Sequence, residues 1–150
     1  MGQSLVQNYL HLVFSTKNRL PMIDSRIEKE LHRYLISISN ELDCKVIQLG
    51  GYVDNIHSLC MLSKKITLVQ FMEELKRKSS KWIKTKNDCY QNFYWQDGYG
   101  AFSVSPNAVN RVSAYIESQH QHHSTMSFQQ EYVGMLEKYR VAFDEKYIWL

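Results

Sequence analysis

Four groups of residues carry side chains able to do chemistry: Asn55 with His57, Tyr115 with Gln119, the segment Lys76–Lys86, and the turn Lys17-Asn18-Arg19. Asn55 and His57 lie two apart, so on a strand they project to one face and can converge. Asn55 reads equally well as a turn residue, and His57 as a satisfied structural histidine. Tyr115 and Gln119 are four apart, hence on one face of a helix, where a tyrosine is either a reactive phenol or core with its hydroxyl at the rim. The segment KRKSSKWIKTK holds six basic residues (Lys76, Arg77, Lys78, Lys81, Lys84, Lys86) and no acidic one. It is either a surface for a polyanion or a solvated helix face. The run His120-Gln121-His122-His123 has the composition of a metal tract, and a polar helix end with dipole-compatible histidines accounts for it as well.

Elements with recognisable periodicity must hold these residues. Ser4–Ser15 reads as a buried strand running into a basic loop closed by Pro21. From Ser25 onward Ile27, Leu31, Tyr34, Leu35, Ile38 and Leu42 mark one apolar helix face, capped by Asp24 or Ser25. Lys45–Tyr52 and His57–Leu62 form an antiparallel pair joined through residues 53–56, with Gly50-Gly51 permitting a bulge or a close backbone approach. A second helix begins at Thr67, whose spacing to Gln70 is that of a capping box; it buries Leu68, Phe71, Met72, Leu75, Ser79 and Trp82, and its other face carries the basic block. Beyond an aromatic loop, Tyr90–Trp95, a fourth strand spans Tyr99–Ser105. Ser105-Pro106 opens a third helix over residues 106–123, and Ser127–Tyr139 forms a last one with Phe128, Tyr132, Met135 and Leu136 on one side. The order is that of the α+β, ferredoxin-like β-α-β-β-α-β fold with additional C-terminal helices, an antiparallel sheet covered on one face by its two long helices.

Length and composition fit one domain spanning residues 1–150. The 150 residues are 44% hydrophobic and 22% charged, enough apolar material for a core and too little charge for a disordered chain. The formal charge of +3 is ordinary; with six positive charges in one segment, the remainder stands near minus three. No apolar run reaches the roughly 18 residues of a membrane span, and residues 1–7 lack the features of a signal peptide. A cytoplasmic protein without a membrane partner is expected. Cys44, Cys60 and Cys89 have no C-x-x-C spacing, so buried, reduced thiols are expected rather than disulfides or a zinc ribbon. No P-loop or dinucleotide fingerprint is present, and no nucleotide cofactor is expected.

Three stretches, in order along the chain, resemble the single-tyrosine HUH transposases, the small insertion-sequence and repeat-associated enzymes. GGYVDNIHSLCML is similar to their G-G-x-x-D-H-hydrophobic-H-L-L segment. WQDGYGAFSVSPNAVNRVSAYIESQHQHH is similar to their C-terminal block, a strand followed by a helix with Y-I-x-x-Q. LHLVFSTKNRLP is similar to their first strand and basic turn. The resemblance implies cutting and rejoining of single-stranded DNA near imperfect hairpins, by a homodimer with composite active sites and a divalent cation, Mg²⁺ or Mn²⁺. It makes Tyr115 the nucleophile, forming a 5′-phosphotyrosine and a free 3′-hydroxyl, and gives His57, Gln119 and Asn55 to the cation. Lys17, Arg19 and the six basic residues of the block would contact DNA phosphates, and Tyr90, Phe93, Tyr94 and Trp95 would either stack bases or pack in the core.

The chain departs from that pattern where Asn55 stands in place of the first histidine. An asparagine still offers a carbonyl oxygen to a hard cation. Two outcomes follow: an active enzyme with an Asn-Ile-His site, or a hairpin-binding protein of the same fold that has lost cleavage. A third reading, an RNA-binding ferredoxin-like domain, lacks its aromatic sheet motif, because YGAFSVS has the wrong lead and no basic residue.

Overall fold

The computed structural model of the chain describes residues 2–150. Its first strand, β1, is Tyr9–Ser15, shorter than the apolar run from Ser4. The pairing with the third strand ends at Tyr9 opposite Met61, and residues 2–8 are exposed. Helix α1, Glu28–Glu41, buries Leu31, Leu35 and Ile38. The turn before it is held by Asp24, whose Oδ1 accepts from the Arg26 N–H at 3.0 Å. Strands β2, Val46–Tyr52, and β3, Asn55–Met61, are joined by a two-residue turn at 53–54. Asn55 is therefore the first residue of a strand, opposite Tyr52, and not part of the turn. The register irregularity in β2 falls between Val46 and Gln48, away from Gly50-Gly51.

Helix α2, Leu68–Ile83, starts with the expected capping box: Thr67 and Gln70 exchange side-chain to backbone hydrogen bonds of 3.1 Å. Strand β4 is Gly100–Ser103. The sheet is antiparallel with order β2-β3-β1-β4, so β1 and β3 lie in the middle, as the β-α-β-β-α-β topology requires. The single helix expected over 106–123 is instead three pieces: a 3₁₀ turn at Pro106–Ala108, helix α3 at Val109–Glu117, and a short α4 at Gln119–His122. At the break, Ser118 leaves helical geometry (φ −93°, ψ 18°) and its Oγ donates to the Tyr115 carbonyl at 3.1 Å, competing for that acceptor. Helix α5, Phe128–Lys138, opens with a second capping box between Ser127 and Gln130.

Strand alternation sorts the core. Leu10, Leu12, Phe14, Ile56 and Cys60 point to one face, where α1 and α2 cover them. On the other face two small apolar clusters form, Val13 and Phe102 with Phe128, Met135 and Leu136 of α5, and Leu59 with Val104 and Ile116. The aromatic loop is mostly core: Tyr90, Phe93 and Trp95 are buried, and Trp95 Nε1 donates to Ser79 Oγ at 2.9 Å. Tyr94 is exposed, with the Lys84 ammonium 4.3 Å above its ring. Trp82 is half-buried and stacks flat on Tyr34 at 4.7 Å. Cys44 and Cys60 are buried free thiols; Cys89 is free but exposed, because it sits in a 3₁₀ turn at Asp88–Tyr90. Among the described residues no helix is long and apolar enough to cross a membrane.

Candidate active site

Between the two apolar clusters of the α3–α5 face lies a seam of polar side chains, and its centre is a residue that neither periodicity nor resemblance singled out. Glu131 is buried, on the inner side of α5 between Phe128 and Met135. The spacing 128, 131, 135 is that of one helix face, so the signal was present; the polar run Gln129-Gln130-Glu131 disguised it. Glu131 Oε1 lies 2.9 Å from His57 Nε2 and 3.0 Å from His123 Nε2. Its Oε2 accepts a short hydrogen bond from the Tyr115 hydroxyl and lies 3.5 Å from His122 Nε2.

Each partner arrives for a local reason. His57 is buried at the middle of β3, opposite Gly50 on β2 and Val13 on β1. His11, also buried, projects from β1 to the same face, and its Nε2 is 2.8 Å from His57 Nδ1. Tyr115 comes from α3, which approaches β2 closely because residue 50 is glycine: a Cβ there would stand 2.6 Å from the Ile116 carbonyl oxygen. The Tyr115 ring is 6.0 Å from the His57 ring, centre to centre. Gln119 and His123 follow the break at Ser118, and His123 stacks on Tyr52 at 5.3 Å.

Acceptors and donors around the seam assign the protons. His123 Nδ1 faces the Met126 carbonyl at 2.8 Å, while its Nε2 faces Gln119 Oε1 at 2.9 Å and Glu131 Oε1. Both nitrogens meet acceptors, so both donate and the ring is an imidazolium. Burial lowers the pKa of His123, but the hydrogen bond and charge of Glu131 more than offset it, and the net shift is upward. Burial likewise raises that of Glu131, yet His123 and His57 hold its carboxyl well below the usual range. His11, desolvated and beside His57, drops to about 3 and stays neutral, with its Nε2 2.8 Å from His57 Nδ1. Tyr115 is pushed well above a normal phenol, first by burial and then by the bond to Glu131.

The expected site residues therefore separate. Tyr115, His57 and Gln119 meet around Glu131 and His123. Asn55 is fully buried on the same sheet face as His57, but its Nδ2 donates to Asp54 Oδ1 at 2.7 Å and its Oδ1 is a buried acceptor without a partner among the described residues. The donor chemistry of the seam suits a divalent cation: His57, His123 and Glu131 offer ligand atoms within 4.8 Å of one another, with the Gln119 amide oxygen alongside. Beside Tyr115 a cleft of about 370 Å³ opens, lined by His11, Val112, His122 and Met135, with Arg111 and Lys138 also on its wall.

Of the basic residues, Lys17 and Arg19 lie beside the β2–β3 turn, Thr16 N–H donating to the Asp54 carbonyl at 2.9 Å. Asn18 and Arg19 both have left-handed backbone there (φ 57° and 55°). The α2 block lies across the sheet from Tyr115, and most of it is engaged. Lys76 Nζ donates to the carbonyls of Gln96 (2.9 Å) and Gly98 (2.6 Å), and Lys84 to that of Phe93 (2.8 Å). Arg77 and Lys78 pair with Glu74, and Lys86 with Glu30. Lys81 alone of the six makes no such contact among the described residues.

A family model described as IS200-like transposase matches residues 4–119 of the chain. The ISDra2 transposase TnpA of Deinococcus radiodurans is 24% identical over 115 residues, covering 73% of this chain and 82% of the relative. In fold, the chain is similar to a protein of Deinococcus radiodurans R1 described as a transposase, with a TM-score of 0.61, 22% identity, and coverage of 79% of this chain and 96% of the other. It is also similar to a REP-associated tyrosine transposase bound to a REP hairpin, with a TM-score of 0.63 and 11% identity over 84% of this chain and 74% of that one.

Proposed function

Because the chain belongs to the IS200-like transposase family, we propose that it cuts and rejoins single-stranded DNA at hairpin-bearing element ends with Tyr115 as nucleophile. The observation that carries this reading is the convergence of Tyr115, His57 and Gln119 on one buried polar seam. A similar fold solved with a hairpin supports the choice of substrate.

The phenolic oxygen of Tyr115 attacks the scissile phosphorus; the new O–P bond leaves a 5′-phosphotyrosine, and the P–O3′ bond breaks to release a 3′-hydroxyl. The Tyr115 proton has two acceptors within reach, Glu131 Oε2 and, at 3.4 Å, His122 Nε2. Burial and Glu131 keep Tyr115 a phenol before substrate arrives. Rejoining reverses the step: an incoming 3′-hydroxyl attacks the phosphotyrosine, and a phenolate, of reference pKa about 10, leaves more readily than an alkoxide. A divalent cation, Mg²⁺ or Mn²⁺, held by His57 and Gln119, would polarise the phosphorus and offset the charge that develops on its oxygens. Arg111 and Lys138 at the cleft, with Lys17 and Arg19 beside the β2–β3 turn, would supply phosphate contacts. Arg77, Lys78, Lys81, Lys84 and Lys86 offer a second basic surface across the sheet, reached by DNA that passes an edge or by a second copy in a homodimer; Lys76 is committed to the fold.

A labelled hairpin-end oligonucleotide, incubated with the chain and Mn²⁺ or Mg²⁺, should give a covalent protein–DNA adduct that Tyr115→Phe abolishes. An adduct persisting in that variant overturns the assignment. Hairpin binding without cleavage in either cation assigns the second reading, a binding protein of the same fold.

A further inference from the structure

Asn55 removes one imidazole from the position where the resemblance expects a cation ligand, yet the seam holds another imidazole and a carboxylate. We propose that His123 and Glu131 replace the missing histidine, so that the cation site of this chain is His57 Nε2, His123 Nε2 and Glu131 Oε1, with Gln119 Oε1 completing it. The use of that cation in cleavage rests on the transposase reading; the site itself does not.

Three observations carry the assignment. The three ligand atoms lie within 4.8 Å of one another, and all three side chains are at least 98% buried. Each imidazole has its remote nitrogen fixed by a partner, as ligating histidines do: His123 Nδ1 donates to the Met126 carbonyl at 2.8 Å, and His57 Nδ1 faces His11 at 2.8 Å. That contact supports the His57 ring in either tautomer, so His57 can turn its Nε2 lone pair toward a cation without losing its support. Finally, four donor atoms already gather around one proton-filled space, where the N–H groups of His57 and His123 point at Glu131 Oε1 and Gln119 Oε1. A cation entering there takes the place of those protons.

Asn55 is differently employed. Its amide nitrogen is spent on Asp54, and it brings no charge. The carboxylate of Glu131 does bring one, which two histidines and an amide alone lack. A set of two imidazoles, one carboxylate and one amide oxygen favours Mn²⁺ or Zn²⁺ over Mg²⁺, whose ligands are predominantly carboxylate, phosphate and water.

The test is cation binding without DNA, which separates this proposal from the phosphotyrosine assay. Free Mn²⁺ is measured by electron paramagnetic resonance against the chelator-treated chain. One Mn²⁺ per chain is expected, bound at least about tenfold more tightly than Mg²⁺. Glu131→Gln and His123→Gln should each weaken it by about tenfold or more, and Asn55→Ala by less than about threefold. Unchanged affinity in the first two variants, loss in Asn55→Ala alone, or no binding to the folded chain at millimolar Mn²⁺ overturns the proposal. A second measurement needs no variant: in ¹⁵N-histidine spectra of the native chain with Zn²⁺, the Nε2 signals of His57 and His123 should move together to metal-bound positions. Movement of His57 alone overturns it.

Discussion

Glu131 serves four neighbours with two oxygens, and that arrangement makes it the residue on which both Tyr115 and the histidines depend. Removing a carboxylate from a buried charge pair leaves an uncompensated charge, so Glu131→Ala should destabilise the chain by about 3–5 kcal/mol, measured by urea unfolding near neutral pH. Equal unfolding midpoints for the variant and the native chain would show that the seam contributes nothing to the fold. Tyr115, Gln119 and His57 were legible in the sequence because their spacing is regular and a family motif carries them. Glu131 and His11 were not, and His123 was visible only as part of a metal-like histidine tract, for separate physical reasons. A glutamate inside a polar tripeptide looks solvated unless its helix face is counted, His123 is one of three histidines at a helix end, and His11 is a single polar residue in an otherwise apolar strand. Asn55 was open between turn and strand until the two-residue turn placed it opposite Tyr52.

Elements place these residues through a few close approaches. α3 lies on β2 at Gly50, and a methyl group there would have to push the Ile116 carbonyl away. Gly50→Ala should cost about 1–3 kcal/mol and, because Tyr115 precedes Ile116, lower the yield of covalent adduct more than it lowers hairpin binding. Equal losses in both would mean that α3 does not position the nucleophile. The capping boxes at Thr67 and Ser127 make the starts of α2 and α5 geometrically definite, but only the first was read from the sequence. The break at Ser118 was hidden, since nothing in SAYIESQH forbids a helix, and it is a side-chain bond to the Tyr115 carbonyl that marks it. α2 is braced to the loop before β4 by Lys76. Desolvation lowers the pKa of this ammonium to about 8, against the pull of Asp97. Between pH 8 and 10.5 the unfolded chain then binds more protons at this residue than the folded one, so its contribution to stability rises with pH. The stability of the native chain minus that of Lys76→Met should increase from pH 8 to pH 9.5; a flat or falling difference would contradict the buried brace.

For the whole molecule, a net charge of +3 conceals two basic surfaces on opposite sides of one sheet. The α2 block, the most conspicuous feature of the sequence, is largely committed to intramolecular partners, whereas Arg111 and Lys138 drew no attention as isolated charges and yet stand at the cleft beside Tyr115. A linear reading sees charge density but not which ammonium groups the fold has already used. Lys81→Ala should therefore weaken hairpin binding more than any other alanine substitution in the block, and Arg111→Ala should reduce the salt slope by about one unit of log K per log salt; both are read from binding isotherms at several salt concentrations, and a larger effect of Lys76 than of Lys81 would contradict the assignment. The β-α-β-β-α-β order was legible because each strand and each long helix has its own period. What the period could not show is that α5 folds back to bring a carboxylate to Tyr115. Whether Tyr115 becomes joined to DNA is read from mass spectrometry of the tryptic peptide Val112–Lys138 after incubation with a single-stranded hairpin end and Mn²⁺. A nucleotide joined through its 5′-phosphate to Tyr115 is expected, with Tyr132 in the same peptide unmodified; DNA joined to any other residue, or strand cleavage with that peptide unmodified, overturns the assignment.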